Sequence, residues 1–171
     1  VRVAWIKWFT SALEYSSSFV CISQSVADEL YEFLQAVNYP RKINISYWHL
    51  GSDFKSNLIG PIKTKKIQTN SNDFKSFLSV GTLEPRKGYK LIIEAFERLW
   101  CQGLNCKLTI LGRPGWKSED LVKKIKNHHE FGQKLFWLED ANDKTLLKTY
   151  ELTDAIICAS YAEGFGLPIV E

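Results

Sequence analysis

From residue 76 onward, short apolar runs alternate with longer stretches of helical period. Phe77 to Val80, Lys107 to Leu111, Leu135 to Leu138 and Ala155 to Ala159 read as strands, and Leu91 to Trp100, Glu119 to His128 and Thr145 to Leu152 as helices. Consecutive strands joined by helical crossovers run parallel, so the pattern predicts a doubly wound α/β domain with a parallel sheet covered on both faces. Ligands of such a sheet bind outside the carboxyl ends of its strands. The first fifty residues are patterned more loosely. Trp5, Trp8, Phe9, Ala12 and Leu13 share one helical face, read as core-facing in preference to membrane-surface. Phe19 to Ser23 reads as a short buried strand, Ser25 as the cap of a helix reaching about Gln35, and Ile43 to Tyr47 as another strand. Leu50-Gly51-Ser52-Asp53 ends this pattern. From there to Asp73, Ser, Asn, Thr and Lys dominate without periodicity, which divides the chain into 1–52, a linker at 53–75, and 76–171.

Composition narrows the picture. The 171 residues are 45% hydrophobic and 24% charged, as expected of a globular chain. A net charge of +3 is too weak to argue for nucleic acid, and the cluster Lys63, Lys65, Lys66 falls in the linker, where a solvated role is expected. Cys21, Cys101, Cys106 and Cys158 form no CxxC pair, and Cys21 and Cys158 lie in apolar runs, which points to a reducing compartment. No apolar run approaches the about 18 residues a membrane span needs, and Arg2 and Lys7 interrupt any signal-like start. The chain has no methionine, begins at Val1 and stops at Glu171 where a helix is due to start, so a piece of a longer protein is expected.

The glycine-rich and charged turns all fall on one sheet edge. Gly81-Thr82-Leu83-Glu84-Pro85-Arg86-Lys87-Gly88 follows the first strand of this region, Gly112-Arg113-Pro114-Gly115-Trp116 the second, Glu139-Asp140-Ala141-Asn142 the third, and Tyr161 to Leu167 the fourth. Arg86 and Lys87 place two cations just before a helix start, where a diphosphate would gain charge-assisted hydrogen bonds. After the run Asp154 to Ser160, read as a buried strand, Glu163 and Glu171 are separated by Gly164, Gly166 and Pro168, a spacer that predicts a glycine turn and then a helix. Free N–H groups of that turn would face a ligand, with a carboxylate at each end, which suits a polyol carrying phosphate. There is no GxGxxG, P-loop or GxSxG element. His49, His128 and His129 lack a zinc-binding context and read as structural or solvated, and Asp140 and Asp143 as turn and helix-start residues.

The stretch from Ser79 to Gly88, the loop from Gly112 to Trp116, the run Phe136-Trp137-Leu138-Glu139-Asp140 and the ending from Glu163 to Glu171 together resemble the group 1 (family 4) glycosyltransferases of GT-B fold, most of all bacterial mannosyltransferases of polysaccharide assembly. Cys21-Ile22-Ser23-Gln24-Ser25 and His49-Leu50-Gly51-Ser52-Asp53 extend the likeness to nearly the whole chain. The resemblance implies that 1–52 is the end of an acceptor-side Rossmann-like domain and 76–171 an incomplete nucleotide-sugar domain. It implies transfer of a hexose, mannose by family branch, from a nucleotide-diphosphate sugar such as GDP-mannose to a glycan or lipid-linked glycan, with retention and without a metal. Arg86 and Lys87 would hold the diphosphate and Glu163 the sugar hydroxyls, beside Gly164 and the N–H groups of Phe165, Gly166 and Leu167. Glu171 would hold the ribose, Gly81, Thr82, Gly112 and Arg113 would line the phosphates, and the nucleobase would lie near Leu138. Thr82 stands where many relatives carry Arg, a departure from the family at one phosphate contact. A cytoplasmic enzyme is implied, working at the inner membrane face where acceptors are lipid-linked, with the Trp5/Trp8 helix as the support for peripheral contact. This chain alone is not expected to catalyse. A nucleotide-sugar epimerase, a phosphorylase, or a non-catalytic nucleotide-sugar-binding module remain the alternatives.

Overall fold

The computed structural model describes residues 2–51 and 74–170, without the side chains of Arg2 and Val170. The chain divides into two compact units, one of 1–53 with 164–167, the other of 54–163 with 168–171. Most of the linker expected at 53–75, its lysine cluster included, and Glu171 lie outside the described residues.

The first unit holds helix α1 (Arg2–Tyr15), strand β1 (Ser18–Cys21), helix α2 (Gln24–Ala36) and strand β2 (Asn44–Tyr47). β1 and β2 pair in parallel, with Phe19 opposite Ile45. α2 is capped by Ser23, whose Oγ accepts from the Val26 N–H at 3.3 Å. That corrects the expected cap, Ser25, which is already helical. Ser23 is the extended residue three positions before a free N–H, which is where a capping oxygen is needed. The face of α1 also differs from expectation. Leu13 is buried, but Trp5 and Trp8 are 56% and 63% exposed, with Trp5 stacked on Phe9 at 5.2 Å. β1, expected to be buried, alternates, with Cys21 inside and Val20 out. Two short strands offer too little surface to cover both faces.

The second unit runs β3 (Lys75–Val80), a single 3₁₀ turn (Pro85–Lys87), α3 (Tyr89–Cys101), β4 (Cys106–Leu111), α4 (Glu119–Lys126), β5 (Leu135–Leu138), α5 (Asp143–Glu151) and β6 (Ala155–Ile156). A last turn of helix, α6 (Leu167–Val170), follows the glycine segment. The four strands form one parallel sheet in the order β5-β4-β3-β6. α3 lays Ile92, Ile93, Phe96 and Trp100 into the core with Leu108 and Ile110 of β4, Ile125 of α4 and Leu135 of β5. These positions recur one turn apart, so a single stripe of α3 is removed from water, and each such side chain contributes about 1.5–3 kcal/mol. Trp100 is polar at one end, and its indole N–H donates to Cys106 O at 2.8 Å. α4 starts with Glu119 and Asp120 and ends among lysines, each charge opposing the helix dipole. α5 is capped by Asn142, whose Oδ1 accepts from the Thr145 N–H at 2.9 Å.

β6 departs from its expected form. The run read as a buried strand through Ala159 gives a two-residue strand with both positions exposed. It pairs with β3 through Phe77–Ala155 and Leu78–Ile156. Its start is anchored by Asp154, whose Oδ2 accepts from both the Ser76 N–H and Ser76 Oγ. As the outer strand of the described sheet, β6 has one neighbour, so an apolar composition does not produce burial there.

Candidate active site

The strand order fixes where a ligand belongs. The chain steps from β3 to β4 on one side and later returns to place β6 on the other, so the loops after β3 and β6 diverge at their carboxyl ends. Sheets of this kind bind ligands in the crevice at such a reversal. Arg86 and Lys87 come from the first loop and Glu163 from the second.

Close backbone approaches fix the loop after β3 on both flanks, against the end of β6 on one side and the loop after β4 on the other. Gly88 has φ +70°, and a Cβ there would stand 2.1 Å from Ala159 O, so no side chain fits. Beside it the Tyr161 N–H donates to Arg86 O at 2.8 Å. On the other flank Gly112, with φ +155°, would place a Cβ 2.0 Å from Gly81 O. Tyr89, buried beneath the turn, donates its hydroxyl to that same Gly81 carbonyl at 2.6 Å. Burial also pushes the Tyr89 phenol well above its ordinary pKa, so it stays a donor.

Within this frame Lys87 Nζ lies 2.5 Å from Glu163 Oε1, and Arg86 Nη1 lies 3.4 Å from Glu163 Oε2. Ser160 Oγ donates to Glu163 Oε1 at 2.7 Å. Arg86 is also paired with Glu84, through Nε at 3.0 Å. The Lys87 side chain is 13% exposed and that of Arg86 50%, so Lys87 is the inner cation and Arg86 the rim one. Partial burial pushes the Glu163 carboxyl up, but the hydrogen bonds from Lys87 and Ser160 and the charges of Lys87 and Arg86 outweigh it and hold the group below its usual range. The site is therefore a carboxylate locked in ionised form between two cations, on a sheet edge that suits phosphate.

The other candidate residues fall in several places. Gly81 and Thr82 form the turn above Tyr89, and Gly112 packs against it. Arg113 Nε is 2.7 Å from Asp140 Oδ1, an exposed pair joining the loops after β4 and β5. Leu138 ends β5 on the same edge and is partly exposed. Gly164, Phe165, Gly166 and Leu167 group with the first unit, where Ser23 Oγ donates to Gly164 O at 2.5 Å and the Phe165 ring meets His49 at 5.6 Å. In the turn only Gly166 has positive φ, at +82°. His128 is structural, its Nε2 3.2 Å from Glu97 and its Nδ1 accepting from the Glu130 N–H. A cavity of about 650 Å³ lies along β6, lined by Tyr150, Thr153 and Ile156 among others, and no candidate residue lines it.

Sequence reasoning missed Ser160, Tyr89 and the Asp140 partner of Arg113. Ser160 stands three positions before Glu163 on the same loop, near enough in sequence for its hydroxyl to reach the carboxylate. Tyr89 falls before the helix expected from Leu91, and nothing in the sequence marks it. Among the described residues no group of three or more His, Cys, Asp or Glu could hold a metal ion.

The fold and this edge define a class: an α/β protein whose parallel sheet presents a cationic pair and a carboxylate at its topological reversal. Residues 62–171 match the family of glycosyl transferases group 1, and the chain belongs to that family. It is 35% identical over 171 residues to a serotype-specific mannosyltransferase WbdA of Escherichia coli, covering 96% of this chain and 21% of the relative. An O-antigen chain mannosyltransferase B of the same organism is 30% identical over 95 residues, covering 55% of this chain and 25% of the relative. The chain thus spans about a fifth of the length of the WbdA relatives. Among solved structures, that of a GtfA/B complex is similar at TM-score 0.60 and 20% identity, covering 94% of this chain and 29% of that one. An α,α-trehalose 6-phosphate synthase from Burkholderia multivorans is similar at TM-score 0.61 and 14% identity, covering 86% and 40%. These likenesses bear on fold, and the fold is the GT-B type that the sequence resemblance implied.

Proposed function

We propose that this chain carries the donor-side centre of a retaining hexosyltransferase, moving mannose from GDP-mannose to a glycan or lipid-linked glycan. One observation carries the reading: Lys87 and Arg86 meet Glu163 at the reversal between β3 and β6. The mannosyltransferase relatives support the sugar. In the reaction the bond from the anomeric carbon to the diphosphate oxygen breaks while the acceptor oxygen bonds to that carbon on the same face. The acceptor's proton passes to the departing phosphate oxygen. Lys87 and Arg86 stabilise the charge that develops on the leaving diphosphate, worth several kcal/mol where water is excluded, and no metal is called on. Glu163 accepts hydrogen bonds from sugar hydroxyls and positions the ring. Arg113 and Gly112 flank the phosphates, and Leu138 lies toward the base. Thr82 supplies less charge than an arginine would, leaving more of the phosphate to Lys87.

The four cysteines are free and support a reducing, cytoplasmic setting. None of the described helices is long and apolar enough to cross a membrane. Contact of exposed Trp5 and Trp8 with a membrane surface belongs to the same proposal.

The test is donor consumption by the full-length protein with GDP-, UDP- and ADP-sugars, with and without acceptor glycans, comparing wild type with Lys87→Ala. We expect acceptor-dependent transfer that falls at least 100-fold in the variant with little change in melting temperature. Sugar interconversion without acceptor, or unchanged turnover in Lys87→Ala, would overturn the reading.

A further inference from the structure

Glu163 is held by three side-chain donors among the described residues, and two of them are the cations assigned to the diphosphate. A bound diphosphate competes for those cations. It carries negative charge of its own, so it draws Lys87 and Arg86 toward itself and repels the carboxylate they had been holding. The third donor is different in kind. Ser160 is neutral, its O–H is directed at Glu163 Oε1 at 2.7 Å, and it lies on the carboxylate's own loop. Its backbone is fixed from both sides. Ala159 O is in the close approach to Gly88, and the Tyr161 N–H is bonded to Arg86 O. A donor anchored in this way keeps its aim whether or not the cations move, which is what a preorganised site requires.

We propose that Ser160 is a positioning residue for sugar transfer, keeping the Glu163 carboxylate aimed at the donor sugar when a diphosphate engages Lys87 and Arg86. This rests on the hexosyltransferase reading and deepens it. Ser160 acts through Glu163 and makes no contact with phosphate. Its removal should therefore separate two quantities that loss of a cation would move together. Turnover needs an oriented carboxylate, whereas affinity for the diphosphate does not.

The experiment uses the full-length protein as wild type, Ser160→Ala and Ser160→Thr. Turnover is measured with the best nucleotide sugar, and calorimetry is run with GDP, UDP and ADP alone. A hydrogen bond to a charged group is worth about ten-fold or more. We expect Ser160→Ala to lower kcat by that factor while the dissociation constant of the preferred nucleoside diphosphate stays within two-fold. Ser160→Thr, which keeps the hydroxyl, should stay within three-fold of wild type on both. Turnover of Ser160→Ala within two-fold of wild type overturns the proposal, as does an equal loss of turnover and nucleotide affinity, or a threonine variant as impaired as the alanine one. A wild-type protein that neither binds a nucleoside diphosphate nor consumes a nucleotide sugar overturns the hexosyltransferase reading and this proposal with it.

Discussion

At the scale of single residues, Glu163 is the counter-ion of both cations assigned to the diphosphate. Glu163 stands between Lys87 and Arg86 much as a phosphate oxygen would. Under the proposed function a nucleoside diphosphate would have to displace or share this ion pair, and part of the attraction between cations and phosphate would be offset by that exchange. The carboxylate has opposite effects on the two stages. On the proposed function it would weaken capture of the bare nucleotide and serve the transfer. Glu163→Gln keeps the shape and removes the charge, so it should tighten binding of GDP several-fold while lowering turnover of the nucleotide sugar at least 100-fold. Titration calorimetry and steady-state rates on one preparation read both numbers. Weaker GDP binding in the variant would mean that Glu163 does not compete for the cations, and the geometry would need another explanation.

At the scale of elements, the site depends on how closely the loop after β3 approaches the end of β6. Gly88 and Gly103 give a controlled comparison, since both have positive φ, at +70° and +76°. A Cβ on Gly103 meets nothing within 4 Å, whereas on Gly88 it meets the Ala159 carbonyl oxygen at 2.1 Å. Alanine at Gly103 should cost about 1–2 kcal/mol, the strain of the left-handed conformation alone. Alanine at Gly88 adds a backbone collision and should cost clearly more, about 3 kcal/mol or above, with loss of nucleotide binding as the loops separate. Urea denaturation of the two variants measures the difference, and equal midpoints would show that the approach is not tight. Such a contact could not be read in advance. The sequence exposes Gly88 as a turn residue, but its need for glycine arises from Ala159, seventy-one positions on. What could be read was local. The apolar runs of β3, β4 and β5 and the stripe of α3 declare themselves by period, and the turns carrying Arg86, Lys87 and Glu163 lie on one edge because parallel strands must put them there. Position in the sheet leaves no mark on the sequence, so the apolar run of β6 predicts burial although the described sheet ends with it. The stripe of Trp5 and Trp8 predicts a core-facing side, yet both are exposed, because a helical stripe shows which face is apolar and not what covers it. The cap of α2 is Ser23 and not Ser25, two serines that are chemically alike and differ only in backbone conformation.

At the scale of the whole chain, the two units are unequal in what they bury. Four buried apolar side chains belong to the first, Leu13, Cys21, Ala27 and Leu34, against thirteen in the second, among the described residues. The second unit has four paired strands and a core shared by α3, β4, α4 and β5, while the first has a single pair of four-residue strands. A two-stranded sheet is marginal without further cover, so the first unit should open at a lower free energy. The residues assigned to the diphosphate would then sit on the more persistent part, where a preorganised site belongs. Hydrogen exchange followed by mass spectrometry should show the amides of β1 and β2 exchanging at least about ten-fold sooner than those of Leu108 and Ile110 in β4. The amides of Gly81 and Leu83 should follow β4, since their N–H groups donate to Leu111 O and Arg113 O at 2.9 Å and tie the segment leading to Arg86 and Lys87 to the neighbouring strand. If all these amides exchanged together, the chain would be opening as one cooperative body, and the persistence of the site could no longer be ascribed to the second unit's core.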